Sequence, residues 1–390
     1  MTDAVELTAE RIVAGGDALA RAPDGRVVLV EGALPGERVT VDVQREQPDL
    51  IRARTVAVLE AAPDRIVPPC EYVRAGCGGC TWQHIRADAQ PALKRDIVRD
   101  ALRHIARIEA PEITFAALPA TGYRTTVRAA VSAGRAGFRR RHSHEPVAVD
   151  TCMVAHPLVD ELLRDGRFGD AQEVTIRAAP STGECCVSTL PTGVHVDVPD
   201  HVRTGPTARV HEVIDGRRLR VSAGAFFQSR ADGAALLAQL VRDAVGPDRR
   251  IADLYCGVGL FAATVCSPRS IVAVENNPHA VADAQHNLHT RPARVLQLNV
   301  ERWRPEPVDV VIADPSRAGL GRAGAHAVVR SRAERVVLVS CDAAALARDA
   351  RLLVDAGYDL DALTLIDLFP HTPHVECVTV FVQKPRRNDR

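Results

Sequence analysis

Ile251-Ala252-Asp253-Leu254-Tyr255-Cys256-Gly257-Val258-Gly259 is a short apolar run closed by an acid and a glycine-rich turn. The apolar part reads as a buried strand, and Gly257 and Gly259 let the backbone turn tightly against a ligand with no Cβ in the way. The next apolar run, Ile271-Val272-Ala273-Val274, ends in Glu275, 22 residues after Asp253. An acid at that place binds both hydroxyls of a ribose, which points to an adenosine-containing cofactor. A dinucleotide would require a full G-x-G-x-x-G, but residue 262 is Ala and the loop opens on an acid, so S-adenosylmethionine fits better. An ordinary glycine turn in an α/β sheet is the plain alternative.

Working outward, helix and strand patterns alternate: helices at 234–245, 280–288 and 343–355, strands at 251–255, 271–275, 308–313 and 336–340. This predicts a doubly wound, mainly parallel, Rossmann-like α/β domain over residues 216–390. Residues 1–60 alternate apolar and polar positions between glycine turns, predicting a small antiparallel, OB-like β-barrel. Residues 61–215 read as a mixed α+β central domain. Residues 88–108 carry helical periodicity, and a helix near 91–120 is expected to pack on the C-terminal domain.

Charge and composition narrow the function. Lys+Arg and Asp+Glu both number 49, so no global field draws in a polyanion. Any nucleic-acid contact must be local, and Arg135, Arg139, Arg140 and Arg141 with His142 and His144 form one such cluster. A charge run is more often a solvated face. No run of 18 apolar residues occurs, and Asp3 and Glu6 stand where a leader would be basic, so a cytoplasmic protein without membrane contact is expected.

The chemistry gathers at strand ends. Residues 337–340 deliver Cys341, followed by Asp342, and residues 308–313 end in Asp314-Pro315-Ser316-Arg317. An aromatic residue in the latter motif would suggest methylation of an amino group, and a cysteine an RNA cytosine enzyme; Ser316 is neither. Glu376 opens a last apolar strand. A strand cysteine is usually a small core residue, and a lone Glu at a strand start is usually solvated. Together, though, they supply what alkylating a pyrimidine C5 needs. A thiolate adds to C6 and makes C5 nucleophilic; a base then removes the C5 proton so that the thiolate leaves. The target base must leave its stack to be reached.

At these residues the chain resembles the S-adenosylmethionine-dependent RNA uracil-C5 methyltransferases, whose larger bacterial members carry a TRAM domain and an iron-sulfur cluster. The matches run along nearly the whole chain: Gly15-Gly16-Asp17, Pro35-Gly36-Glu37, Gly137-Phe138-Arg139-Arg140-Arg141, Phe226-Phe227-Gln228, Asp253-Leu254-Tyr255-Cys256-Gly257, Ser340-Cys341 and His371-Thr372-Pro373-His374-Val375-Glu376. The resemblance implies a class I methyltransferase domain and a TRAM-like RNA-binding barrel. It implies that Gln228, Tyr255, Glu275, Asn299 and Asp314, with Gly257 in the turn, hold the donor. It also implies Cys341 as nucleophile and Glu376 as base. Ser316 departs from the usual Pro or Ala, Asp342-Ala343 from a common Asn-Pro, and Leu260 stands where a polar residue is frequent.

Ten cysteines in a leaderless chain suit thiols used for metal or catalysis. Cys70, Cys77 and Cys80 stand among Gly76, Gly78 and Gly79, and Cys152 is a plausible fourth ligand. Four thiolates accept either zinc or an iron-sulfur cluster; the resemblance implies [4Fe-4S]. Cys185, Cys186, Cys256, Cys266 and Cys377 are assigned to the core. The expected partner is structured RNA, ribosomal before transfer RNA, with no obligate protein partner. A non-catalytic RNA-binding or assembly factor is the competing class.

Overall fold

The computed structural model describes residues 5–385, so Asp3 lies outside the described residues. Eight strands form the central sheet, in the order Ala293–Gln297, Ser270–Glu275, Arg250–Leu254, Val310–Ala313, Arg335–Ser340, Glu376–Gln383, Tyr358–Ile366 and Ile113–Ala116. The first five run parallel and read as unbroken apolar runs because both faces are covered. Val336, Val337, Leu338 and Val339 are fully buried, and each such side chain contributes about 1.5–3 kcal/mol relative to exposure. Helices Ala231–Val245, Pro278–Asn287, Gly321–Arg330 and Ala343–Asp355 supply the cover.

Two features of this sheet were not visible in the chain's periodicity. The last strand, Glu376–Gln383, inserts antiparallel between Arg335–Ser340 and Tyr358–Ile366. Ile113–Ala116, far upstream, adds parallel to Tyr358–Ile366 at the edge. Helix Gln90–Ala101 runs into a π-helical turn, Leu102–Ala106, and both lie against Ala343–Asp355.

The N-terminal unit has six strands, ordered Val5–Thr8, Arg38–Glu46, Leu50–Glu60, Val27–Glu31, Ala18–Arg21 and Arg11–Ile12. Val28 and Val30 point inward while Val27 and Leu29 are half-buried, the period-2 pattern of a strand covered on one face. The expectation of a wholly antiparallel barrel needs correction. Val27–Glu31 pairs parallel with Leu50–Glu60, because Arg38–Glu46 takes the antiparallel place on the other side.

A second six-stranded sheet, with Glu173–Ala179 and Thr126–Ser132 at its middle, carries helix Pro157–Asp165 over a separate core of Val127, Val159, Leu162, Leu163, Phe168 and Ile176. Among the described residues no helix is long and apolar enough to cross a membrane.

Candidate active site

Backbone register builds the reactive pair. Ser340 lies opposite Cys377 in the antiparallel ladder. One step further, Cys341 leaves its strand facing Glu376, and alternation turns both side chains to the same face. Ala313 lies beside Leu338 in the neighbouring parallel ladder, so Asp314 follows at the same edge of the sheet. Asp342 starts the next helix by accepting the Ala345 N–H at 2.8 Å, which fixes the chain leaving the cysteine.

Three acidic groups therefore share one small space. Cys341 is half-buried; burial, then Glu376 and Asp314, push its thiol up to about 12, against the opposing pull of Arg317. Glu376 is 2% exposed, so the water-exposed alternative for this residue does not hold. Burial, and then Asp314, raise its carboxyl well above the usual range, and burial raises Asp314 to about 7. With carboxyls this close and this dry, the last proton is held tightly.

The glycine turn lies at the switch point, where strand order reverses between Arg250–Leu254 and Val310–Ala313. Gly257 (φ +54°), Gly259 (φ +86°) and Tyr255 (φ +60°) all adopt left-handed backbone. For a tyrosine that conformation is strained and marks a site that is over-determined by its surroundings. Glu275 fastens the turn: one carboxylate oxygen accepts the Gly257 N–H at 3.0 Å, the other the Asn276 and Asn277 N–H groups at 2.8 Å each. Asp253 is fully buried. One oxygen accepts the Ala262 N–H at 3.0 Å, the other has no partner, and burial raises the carboxyl to about 7.

Gln228 is buried and donates from Nε2 to Asp314 at 3.4 Å. Asn299 is exposed and accepts from Asn276 at 3.0 Å. Phe226 stands out at 69% exposure, with its carbonyl 4.0 Å from where a Cβ on Gly257 would lie. Gln228, Tyr255, Gly257, Glu275, Asn299 and Asp314 thus line up along the carboxyl edge that carries Cys341.

The second cluster is separate. Cys70, Cys77, Cys80 and Cys152 are free and line one cavity of about 730 Å³ that reaches Arg317, Phe369 and His374. Glycines let two loops zip together there: the Gly78 N–H donates to Arg139 at 3.0 Å and the Arg141 N–H to Gly76 at 3.0 Å. A Cβ on Gly78 would meet the Arg139 carbonyl at 3.2 Å. Burial, first of all, raises the thiols of Cys77 and Cys152, and that of Cys80 to about 12. Among the described residues, no three His, Cys, Asp or Glu converge as a single-ion site.

The arginine cluster is less free than its sequence suggested. Arg139 and Arg128 share Glu173, Arg135 pairs with Asp150, Arg140 with Glu145, and Arg141 with Glu31. Among the described residues, Arg124 and Arg317, on the same cavity, have no carboxylate partner; Arg317 meets His374 at 3.4 Å. Sequence reasoning passed over both, and only the position of Arg317 directly after Asp314-Pro315-Ser316 hinted at it. Cys266, assigned to the core, is exposed.

Three profiles match the chain: the TRAM domain over residues 5–56, the methyltransferase small domain over 216–330, and tRNA (uracil-5-)-methyltransferase over 293–384. A Streptomyces avermitilis protein described as an uncharacterized RNA methyltransferase is 35% identical, across 97% of this chain and 98% of its own length. The 23S rRNA (uracil(1939)-C(5))-methyltransferase RlmD of Chromohalobacter salexigens is 32% identical, across 98% and 90%. In fold, the Pyrococcus abyssi tRNA (uracil-54, C5)-methyltransferase, solved with S-adenosyl-L-homocysteine, superposes with a TM-score of 0.72 at 21% identity over 97% of this chain and 100% of that one.

Proposed function

Because the chain belongs to the S-adenosylmethionine-dependent RNA methyltransferases of the uracil-C5 family, we propose that it forms 5-methyluridine in ribosomal RNA, with Cys341 as nucleophile and Glu376 as base. The observation that carries this reading is the register that sets Cys341 against Glu376 beside Asp314. Burial and the neighbouring acids favour the protonated thiol of Cys341, so its sulfur adds to C6 while the C5=C6 pair shifts toward O4 and O4 takes up the thiol proton. As C4=O4 re-forms and that proton is released to solvent, C5 takes the methyl group from the donor, which departs demethylated as its S–CH3 bond breaks. Glu376 then accepts the C5 proton, the C5=C6 bond re-forms and the S–C6 bond breaks. A buried carboxylate that binds protons tightly is a strong base once ionised, which suits it to a carbon acid.

Gln228, Tyr255, Gly257, Glu275, Asn299 and Asp314 hold the donor. The free space beside Gly257 and the unpartnered oxygen of Asp253 fit a polar, adenosine-bearing molecule there. Cys70, Cys77, Cys80 and Cys152 hold a [4Fe-4S] cluster. Zinc on the same four thiolates is the alternative, and analysis of the purified protein for iron against zinc separates the two. The methyl transfer needs no electron, so a group held by Cys70, Cys77, Cys80 and Cys152 would supply structure: it would compensate thiolates that burial disfavours and would fix the arginine loop zipped to Gly76–Gly78. Arg124 and Arg317, without carboxylate partners among the described residues, take phosphates flanking the target.

Ribosomal RNA is favoured by the 32% identical relative, which aligns with 98% of this chain over 90% of its own length. Mass spectrometry of 5-methyluridine in separately purified ribosomal and transfer RNA, with and without the gene, tests the choice. Loss from transfer RNA alone overturns it. A denaturation-resistant adduct with 5-fluorouridine RNA that persists in Cys341→Ala overturns the nucleophile.

A further inference from the structure

The barrel touches the loop that delivers Glu376. Between strands Arg11–Ile12 and Ala18–Arg21 the chain makes a tight turn, closed by Val13 N–H to Asp17 at 3.0 Å and Gly16 N–H to Val13 at 2.9 Å. Gly15 and Gly16 both sit in left-handed backbone, φ +98° and +92°. Their surroundings differ. A Cβ on Gly15 would meet nothing within 4 Å, whereas one on Gly16 would lie 2.4 Å from Cβ and 2.6 Å from Cγ of Pro373, and 3.2 Å from the Trp82 indole nitrogen. Pro373 stands three residues before Glu376.

The same loop is held from its other side by a buried polar frame. The Gln90 amide accepts the His371 N–H at 2.8 Å and donates to the Ile85 carbonyl at 3.1 Å, while the Trp82 N–H donates to His371 at 2.8 Å. Lys94, fully buried, donates to Asp367 at 2.7 Å and to the Phe369 carbonyl at 2.9 Å. The loop is thus clamped between helix Gln90–Ala101 and the barrel turn. The barrel in turn is anchored by Glu31, which pairs with Arg141 and, at 2.9 Å, with His142.

We propose that the N-terminal barrel is a positioning element for the proton-removal step: Gly16, seated on Pro373, fixes the loop that aims Glu376. This rests on the reading of Glu376 as base. RNA bound on the barrel would then be sensed at the C5 proton, and the catalytic loop would be set only when the barrel is seated. The Gly-Gly turn is explained by two separate needs: left-handed backbone at both positions, and no side chain at the second.

The test uses the full-length holoenzyme and ribosomal RNA from cells lacking the gene, and measures kcat, KM and the fraction of enzyme in a denaturation-resistant complex with ordinary uridine RNA and S-adenosylmethionine. Gly16→Ala is expected to lower kcat roughly tenfold to a hundredfold, the scale of a misplacement near 1 Å, with RNA affinity within about twofold. Methylated covalent adduct accumulates, because addition and methyl transfer still occur while elimination stalls. Gly15→Ala carries the same left-handed strain without the clash and stays near wild type.

Equal loss in both variants overturns the proposal in favour of turn strain, and weakened RNA binding at unchanged kcat overturns it in favour of a barrel that only binds. Should Gly16→Ala not fold, Pro373→Gly removes the ring from the other side; wild-type kcat without adduct there overturns the contact. Glu376→Gln must itself accumulate adduct. If it does not, the base assignment fails, and the kcat-against-KM split of Gly16→Ala still decides the barrel contact.

Discussion

The two sites are built by different means. Along the carboxyl edge of the central sheet, hydrogen-bonded register brings Cys341, Glu376 and Asp314 into one neighbourhood from within the polypeptide. Around Cys70, Cys77, Cys80 and Cys152 there is little regular structure: two loops zipped at glycines, one short helix of Glu71–Arg74, and thiols facing a cavity without a common centre. A ladder specifies side-chain positions to a fraction of an ångström, whereas loops need something to converge on. The first site is built by the fold; the second, on the proposal that its thiols hold a cluster, would be organised by what it binds.

The sharpest way to break that contrast is at the nucleophile. Cys341→Ala is expected to lower methylation by a factor on the order of 10⁴ or more, with thermal stability and S-adenosylmethionine affinity nearly unchanged, measured by calorimetric titration and single-turnover assay. Glu376→Gln follows, at roughly 10²–10⁴ in kcat. Replacing Cys80 by Ser should remove bound iron and cost about tenfold to a hundredfold in activity, all of it through RNA. Donor affinity unaffected by the loss of iron separates the two sites; a parallel loss of donor binding would show that they are one.

Smaller effects sharpen the picture. Arg124→Ala and Arg317→Ala are each expected to raise KM for RNA about tenfold and to reduce the salt slope of binding by about one, while leaving the fluorouridine adduct intact. The smallest effect is at Asp253. Its folded carboxyl, at about 7 against an ordinary 3.8, favours the protonated form. The free enzyme therefore loses stability as pH rises from about 4 through about 7, where the unfolded chain ionises and the folded one resists. Asp253→Asn should raise Tm by a few degrees at pH 8 and little at pH 4. An equal shift at both values would show that its carboxyl does not titrate in that window.

The parallel strands of the C-terminal domain were legible because burial on both faces leaves unbroken apolar runs at Ile251–Leu254, Ile271–Val274 and Val336–Val339. The residues at their ends were legible for the same reason, since open sheets place ligands at carboxyl edges. What the chain conceals is pairing across long separations. Nothing in the pattern of 376–383 says that it inserts beside 335–340, so the pairing of Glu376 with Cys341 rested on chemistry and resemblance and not on periodicity. The parallel step in the barrel was hidden likewise. The arginines around 139–141 looked free because their partners, Glu173 and Glu31, come from other elements, and Arg317 looked ordinary because its lack of a partner is visible only in three dimensions.

The placement of Glu376–Gln383 has a consequence for biosynthesis. This strand leaves the ribosome after both of its neighbours, yet it occupies an interior place between Arg335–Ser340 and Tyr358–Ile366. Until it arrives, both neighbours present unpaired edges, and the proposed nucleophile lacks its proposed base. On that mechanism a chain cut short before Glu376 would be not a weaker enzyme but an inert one with open strand edges, a natural client for chaperones and proteases. The order of translation thus brings in the proposed base only after the strand that delivers Cys341.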